Sequence, residues 1–365
     1  INNLGGGNMK MRKAMSVLLA MAMLSGLTAC GSTGATGTAG TDSSSAGGTD
    51  QTYTISLATC WANDHPTTKA IDEVFIPYIT EHTDGKVVIE HYPNNQLGGE
   101  QDAYEQVMDG SVQMAALGNL WGNNVVPELN IQEIPFLFDS EDEFWDVASD
   151  INGEFCQIAQ KACNEHGVTL LGLYKRGFRE TTSNKPINSV EDLNGLVMRM
   201  PSVDFIINTW QSYGANTTVI AWNECYTACQ QKTCEGTEGS LDSIYAMKLY
   251  EVQKDLAMTN HVLSIGELTV NTNYWNTLPK AYQDVISEAT KLLQEDVYER
   301  ITNSEKEWIA DMEANGMTVT YPDRESMKNA CKDVVKEYIE NTDCAVDIIK
   351  MFGKTDYLDN LGIAY

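Results

Sequence analysis

Residues 277–316 limit the possible folds more than any other stretch. Pro279 stands where a helix can begin. Val285, Ile286, Ala289, Leu292, Leu293, Val297 and Ile301 keep helical spacing, and Trp308, Ile309 and Met312 continue it up to Gly316. Roughly 36 residues at about 1.5 Å each make a helix about 54 Å long. That exceeds one small domain, so the helix is expected to straddle two, straight or kinked. With 365 residues the chain is long enough for both.

Upstream, strands and helices alternate. "YTISLATCW" (53–61) reads as a strand, "NDHPTTKAIDEVFIPYITEHTDGK" as a helix closed at Gly85, and "VVIEHYP" as a second strand. A helix starting near Glu100 and a strand "VQMAALG" follow. "VTLLGLYKRGF" (168–178) is a strand that crosses into a new region. Further on come the strand 196–200, the helix "VDFIINTWQSYG" and the strand "ANTTVIAW". After these, "NECYTACQQKTCEG" reads as a helix with Asn223 as N-cap, "SLDSIYAMKLYEVQKDL" as helical and "MTNHVLSIGELTVN" as strand-like. "MTVTY" is a last strand before C-terminal helices. This order predicts an α/β fold with a mostly parallel sheet.

The formal net charge of −27 makes nucleic acid an unexpected partner and the surface acidic. Within the body of the chain no stretch approaches the roughly 20 apolar residues of a membrane span. The N-terminus reads as a targeting segment. Lys10, Arg12 and Lys13 precede an apolar run, 14–27, of signal-peptide length. "LTAC" ends it and resembles a bacterial lipoprotein signal with Cys30 lipidated; the alternative is an ordinary secretory signal with a chance cysteine. Residues 1–8 are expected to be translated leader, 9–29 the signal peptide, and 30–51 a flexible, lipid-anchored Gly/Ser/Thr tether. Removing 1–29 takes away three cations and no anion, which moves the formal charge from −27 to −30.

Nine cysteines are present, eight of them beyond Cys30. Export permits disulfides, but no spacing is a metal pair such as CxxC. Cys225 and Cys229 sit four apart, a helix-face pattern, and are expected to be free thiols in the core. No metal and no cofactor is expected.

"NGLVMRMPS" (194–202) raises a question of charge. Asn194-Gly195 is a turn signal, a short apolar strand follows, and Pro201 stops it. Arg199 lies in the middle of that strand. A buried cation is costly unless paired, so Arg199 needs an anion, either from the protein or from a ligand.

From "GFRETTSNKPINSVEDLNGLVMRMP" the chain resembles the substrate-binding proteins of tripartite ATP-independent periplasmic (TRAP) transporters. "YPNNQLGGE", "DGSVQMA", "YGANTTVIAWNECYTACQQ" and "YEVQKDLAMTNHV" extend the resemblance over 53–321. It implies a two-lobed periplasmic-binding-protein-like fold, with a ligand cleft between the lobes and one long helix across both. We place 52–176 with 265–304 in lobe I and 177–264 with 305–365 in lobe II. The resemblance assigns Arg199 the ligand carboxylate, which a planar guanidinium grips bidentately. It assigns Arg179 to a network with Glu238 and His261, whose alternative is a core histidine. Trp222 stands at an aromatic, ligand-facing position, or else packs in the core. Other first contacts depart from the sialic-acid branch, which has asparagine at Cys60, glutamate at Gly118, asparagine at Gly239 and aspartate at Glu100. Glu100 and Asn119 can bond hydroxyls of a smaller sugar acid, whereas Trp61, Trp121 and Trp222 suit an aromatic acid.

The implied function is capture of an organic acid, foremost a uronate or aldonate, by a monomeric lipoprotein on the outer face of the membrane, for delivery to a separate TRAP permease. C4-dicarboxylates, sialic acid, aromatic acids and a sensor partner are the alternatives. An enzyme is the rival class, through a Cys60 thiol with His65 or His261. HExxH and GxxxxGK[ST] are absent, and no residue is assigned a catalytic role.

Overall fold

The computed structural model describes residues 51–118 and 125–365. The expectations for 1–50, including lipidated Cys30, and for Asn119 and Trp121 lie outside the described residues. Residues 50–365 form one compact unit. Among the described residues no helix is long and apolar enough to cross a membrane.

Among the described residues ten strands build the frame: β1 (Tyr53–Ala58), β2 (Val87–Tyr92), β3 (Met114–Gly118), β4 (Val168–Ser183), β5 (Val197–Met200), β6 (Asn216–Val219), β7 (Gly236–Ser240), β8 (Asp255–Ala257), β9 (Leu263–Asn271) and β10 (Thr318–Thr320). They lie in the order β2-β1-β3-β9-β4-β7-β5-β6, with β8 beside β4 and β10 beside β8. The expectation of a mostly parallel sheet is corrected to a mixed one. β1–β2, β1–β3, β5–β6, β5–β7 and β8–β10 are parallel. The centre is antiparallel, because β4 and β9 carry the chain across the molecule in opposite senses.

β4 is the joint of the fold. Val168–Phe178 pair with β9, whereas Arg179–Ser183 pair with β7 and β8. The register slips between Lys175 and Gly177, a bulge that leaves Arg176 unpaired. Gly177 has φ +84°, a conformation that costs a glycine little.

Other boundaries shift from expectation. Asn223 does not cap a helix. It sits inside the 3-10 turn Trp222–Glu224, and the helix Cys225–Gln230 that follows has no side-chain cap. The segment read as one helix after Ser240 stops at Ala246. Lys248 then turns left-handed, and the chain re-enters the sheet as β8.

The long helix spans Lys280–Ala314, 35 residues. Gln294 Nε2 donates to Leu173 O at 2.6 Å, and Arg300 Nη2 reaches Glu73 Oε2 at 2.8 Å. Near its other end Tyr245 donates to Asp311 Oδ2 at 2.9 Å and stacks on Trp308. The helix therefore touches elements on both sides of the β4 joint. The C-terminal segment touches both sides of the joint: β10 pairs with β8 and Tyr338 stacks on Phe205. Phe352 packs among Phe138, Phe144 and Phe155, and Tyr357 donates to Pro135 O at 2.6 Å.

One backbone approach is exceptionally tight. Gly266 in β9 lies between Gly118 and Tyr174. A β carbon there would stand 2.0 Å from Tyr174 Cε2. Tyr174 is buried, with its hydroxyl bound to Leu117 O at 2.8 Å, so its ring has no room to retreat. Gly266→Ala is expected to cost at least about 1–3 kcal/mol, the usual range for overpacking, read as a fall in melting temperature.

Candidate functional site

A cavity of about 360 Å³ opens between the two halves of the sheet. Three guanidinium groups reach it: Arg176 and Arg179 from β4, and Arg199 from β5. In a regular strand, residues three apart point to opposite faces. The bulge at Arg176 adds one residue, which turns Arg176 and Arg179 toward the same space.

Arg199 is buried. Its Nε donates to Ile220 O at 2.7 Å, and its guanidinium lies 5.3 Å from the Trp222 ring. Among the described residues no ion pair reaches it. Of the two candidate partners left open by the sequence, the described carboxylates form no ion pair with it, although Glu100 lines the same cavity.

Arg179 is held by Glu238 in a two-point pair, Nε to Oε2 at 2.5 Å and Nη2 to Oε1 at 2.7 Å. His261 Nε2 stands 3.4 Å from Glu238 Oε2, and its Nδ1 lies 2.9 Å from Thr259 Oγ1. Burial would push the Glu238 carboxyl up, but Arg179 and His261 overcome it and hold it well below the usual range. Burial pushes His261 down, against the pull of Glu238. All three residues expected in this network are in contact.

Arg176 went unnoticed in the sequence. Its Nη2 donates to Ser240 Oγ at 2.8 Å and to Ser243 Oγ at 2.5 Å, and its Nε lies 3.5 Å from Asp242 Oδ2. Its guanidinium lies 5.1 Å from the Trp61 ring. The available signal was the one used for Arg199, a permanent cation in an apolar strand, here in "LGLYKRGF". Asp242 also meets His65 Nε2 at 3.3 Å. His65 Nδ1 accepts from the Thr67 amide at 3.2 Å, so a neutral ring carries its proton on Nε2, facing Asp242. Burial lowers the His65 pKa despite Asp242. Burial opposes ionisation of Asp242, yet Arg176 and His65 hold its carboxyl well below the ordinary range.

Cys60, Trp61, Glu100, Trp222 and Gly239 line the same cavity. Trp222 is half-buried; it faces the cavity and also packs on the core. Gly239 leaves it room, since a β carbon there would touch Trp222 Cη2 at 3.4 Å. Burial, with the charge of Glu100, pushes the Cys60 thiol well up despite Arg176. The described cysteines are free, and Cys225 and Cys229 are buried, as expected. Cys229 and Cys234 bring their sulfurs to 3.6 Å. Among the described residues no cluster could hold a metal ion.

The description "Bacterial extracellular solute-binding protein, family 7" matches residues 57–341. The chain belongs to this family. Among its relatives is the sialic acid-binding periplasmic protein SiaP of Vibrio cholerae, 29% identical over 268 residues, 72% of this chain and 81% of that protein. A TRAP periplasmic solute-binding protein of Haemophilus influenzae, solved with bound L-gulonate, superposes with a TM-score of 0.77 at 29% identity, covering 83% of this chain and 99% of the other. One from Roseobacter denitrificans, solved with bound L-galactonate, gives 0.76 at 27%, with the same coverage. The fold of this family 7 chain is accordingly two-lobed. Its family and its structural neighbours are extracytoplasmic binding proteins.

Proposed function

We propose that this protein captures a small sugar acid outside the cytoplasm and delivers it to a separate TRAP-type permease. One observation carries the reading. Of three buried guanidiniums in one cavity, two form ion pairs with Glu238 and Asp242, while among the described residues no ion pair reaches Arg199, which has a backbone carbonyl and a tryptophan face. A guanidinium without an ion-pair partner suits one carboxylate. A cavity of about 360 Å³ is at the small end for ligand pockets, roughly 300–1,000 Å³, and favours a compact acid. The bound L-gulonate and L-galactonate of its neighbours are acids of that kind. Cys60 and Gly239 offer the cavity little polarity, which argues against the more heavily hydrogen-bonded sialic acid.

Arg199 takes the carboxylate, Arg179 acts beside it with Glu238 and His261, and Trp222 covers an apolar face of the ligand. The lobes close about the β4 joint, near residues 176 and 177. We assign no catalytic step, since the Cys60 thiol is held protonated and both His65 nitrogens are engaged elsewhere. Anchoring through Cys30 and a monomeric state complete the proposal.

Thermal-shift screening tests it, with organic acids and their uncharged amides. A ligand at about 100 times its dissociation constant should stabilise the protein by about 2.7 kcal/mol. Sugar acids should shift the melting temperature and their amides should not. Equal shifts by both, or none by any acid, would overturn the reading.

A further inference from the structure

The cavity holds a second polar pole that the carboxylate anchor does not use. Arg176 is fixed at Nη2 by Ser240 and Ser243, and its plane rests near Trp61. Its Nη1, which has two hydrogens, gives one long hydrogen bond of 3.5 Å to Ser264 Oγ and also faces Gly118. A β carbon on Gly118 would stand 2.9 Å from Arg176 Nη1 and 2.8 Å from Glu100 Oε1. With only hydrogen at that position, a rigid donor and a carboxylate acceptor reach the same spot. The Gly118 amide also donates to Glu100, which fixes the acceptor.

We propose that Arg176 and Glu100 form a hydroxyl-reading pair that admits a polyhydroxy monocarboxylate and rejects a dicarboxylate. The proposal rests on the sugar-acid reading above and narrows it. A hydroxyl both accepts and donates, so it satisfies Arg176 and Glu100 together. A second carboxylate only accepts, and beside Glu100 it meets a like charge. Asp242 and Glu238 pair with Arg176 and Arg179, which leaves Arg199 as the guanidinium that meets the single carboxylate. The two poles have separate platforms: Arg176 lies over Trp61, which follows β1, and Arg199 lies over Trp222, which follows β6.

Titration calorimetry on the full-length protein tests this, using a panel of six-carbon aldonates, the matching aldarates and hexanoate. The wild type should bind an aldonate and hold aldarates and hexanoate roughly 10–100-fold more weakly, the range set by unsatisfied buried polar groups. Glu100→Gln replaces the anion with an amide that can donate. It should weaken the aldonate and bring the aldarate to within about tenfold of it. Glu100→Asp keeps the charge but withdraws the oxygen, so it should weaken the aldonate without relieving the aldarate. An unliganded melting curve for each variant shows that it is folded. Equal wild-type affinity for aldonate and aldarate overturns the pair, as does unchanged selectivity in Glu100→Gln. Loss of all acid binding by the wild type, or acid binding that survives Arg199→Ala, overturns the sugar-acid reading itself.

Discussion

Arg199→Ala is expected to remove acid binding while leaving the unliganded protein about as stable as the wild type. Truncating one partner of a buried, hydrogen-bonded charge pair costs about 2–5 kcal/mol, which is roughly 30- to 5,000-fold in affinity. Among the described residues the unliganded protein has no such pair at Arg199 to lose. Arg199 gives one hydrogen bond to Ile220 O and lies near Trp222, and both contacts are offset by the cost of a buried cation without an ion-pair partner. Calorimetry and melting curves measured on one preparation check both halves. A fall of several degrees in the unliganded melting temperature, with acid affinity kept, would make Arg199 structural.

Glu238→Ala is expected to do the reverse and strike stability first. Glu238 is fully buried and holds Arg179 at two points. Breaking a buried pair by removing one partner costs about 3–5 kcal/mol, because the other charge is stranded. At the low end of about 2–4 °C per kcal/mol, the melting temperature should drop by roughly 6–10 °C. The same pair fixes the response to acid. The folded pKa of Glu238 is lowered, so the unfolded chain binds the proton first, and stability rises with pH. Its contribution is complete above the ordinary carboxylate pKa of about 4.3 and is lost as pH falls through the lowered folded value. Asp242 behaves alike. Wild-type melting temperature should therefore fall steeply below about pH 4. A Glu238→Ala variant as stable as the wild type, with the same acid profile, would contradict this account.

Strong periodic segments were legible in the sequence. The long helix falls within a residue or so of its expected ends, and β1, β2, β3, β5 and β6 lie where alternation or short apolar runs placed them. β7 was not legible. "GTEGS" is buried throughout yet carries no apolar run, since its small and polar residues lie beside β4 and β5. β8 was lost inside a helical pattern, because three residues are too few to show a period. The mixed sheet escaped detection because strand direction follows from how β4 and β9 cross the molecule, a long-range property.

The site divided in the same way. Family strings singled out Arg199, and separately Arg179, Glu238 and His261, which lie in contact with one another in the structure. Arg176 was passed over because strand alternation puts it opposite Arg179, and only the bulge at Gly177 brings both into one cavity. The partnership of Glu100 with Arg176 depends on the missing side chain at Gly118, a three-way contact invisible in one dimension.

A crystal structure of the protein with a bound six-carbon aldonate tests the central claim most directly. The account predicts the ligand carboxylate on the Arg199 guanidinium, in two parallel hydrogen bonds of about 2.7–2.9 Å, with Arg179 still paired to Glu238. A ligand whose carboxylate lies away from Arg199, or an Arg199 that has turned to a protein carboxylate, would contradict it.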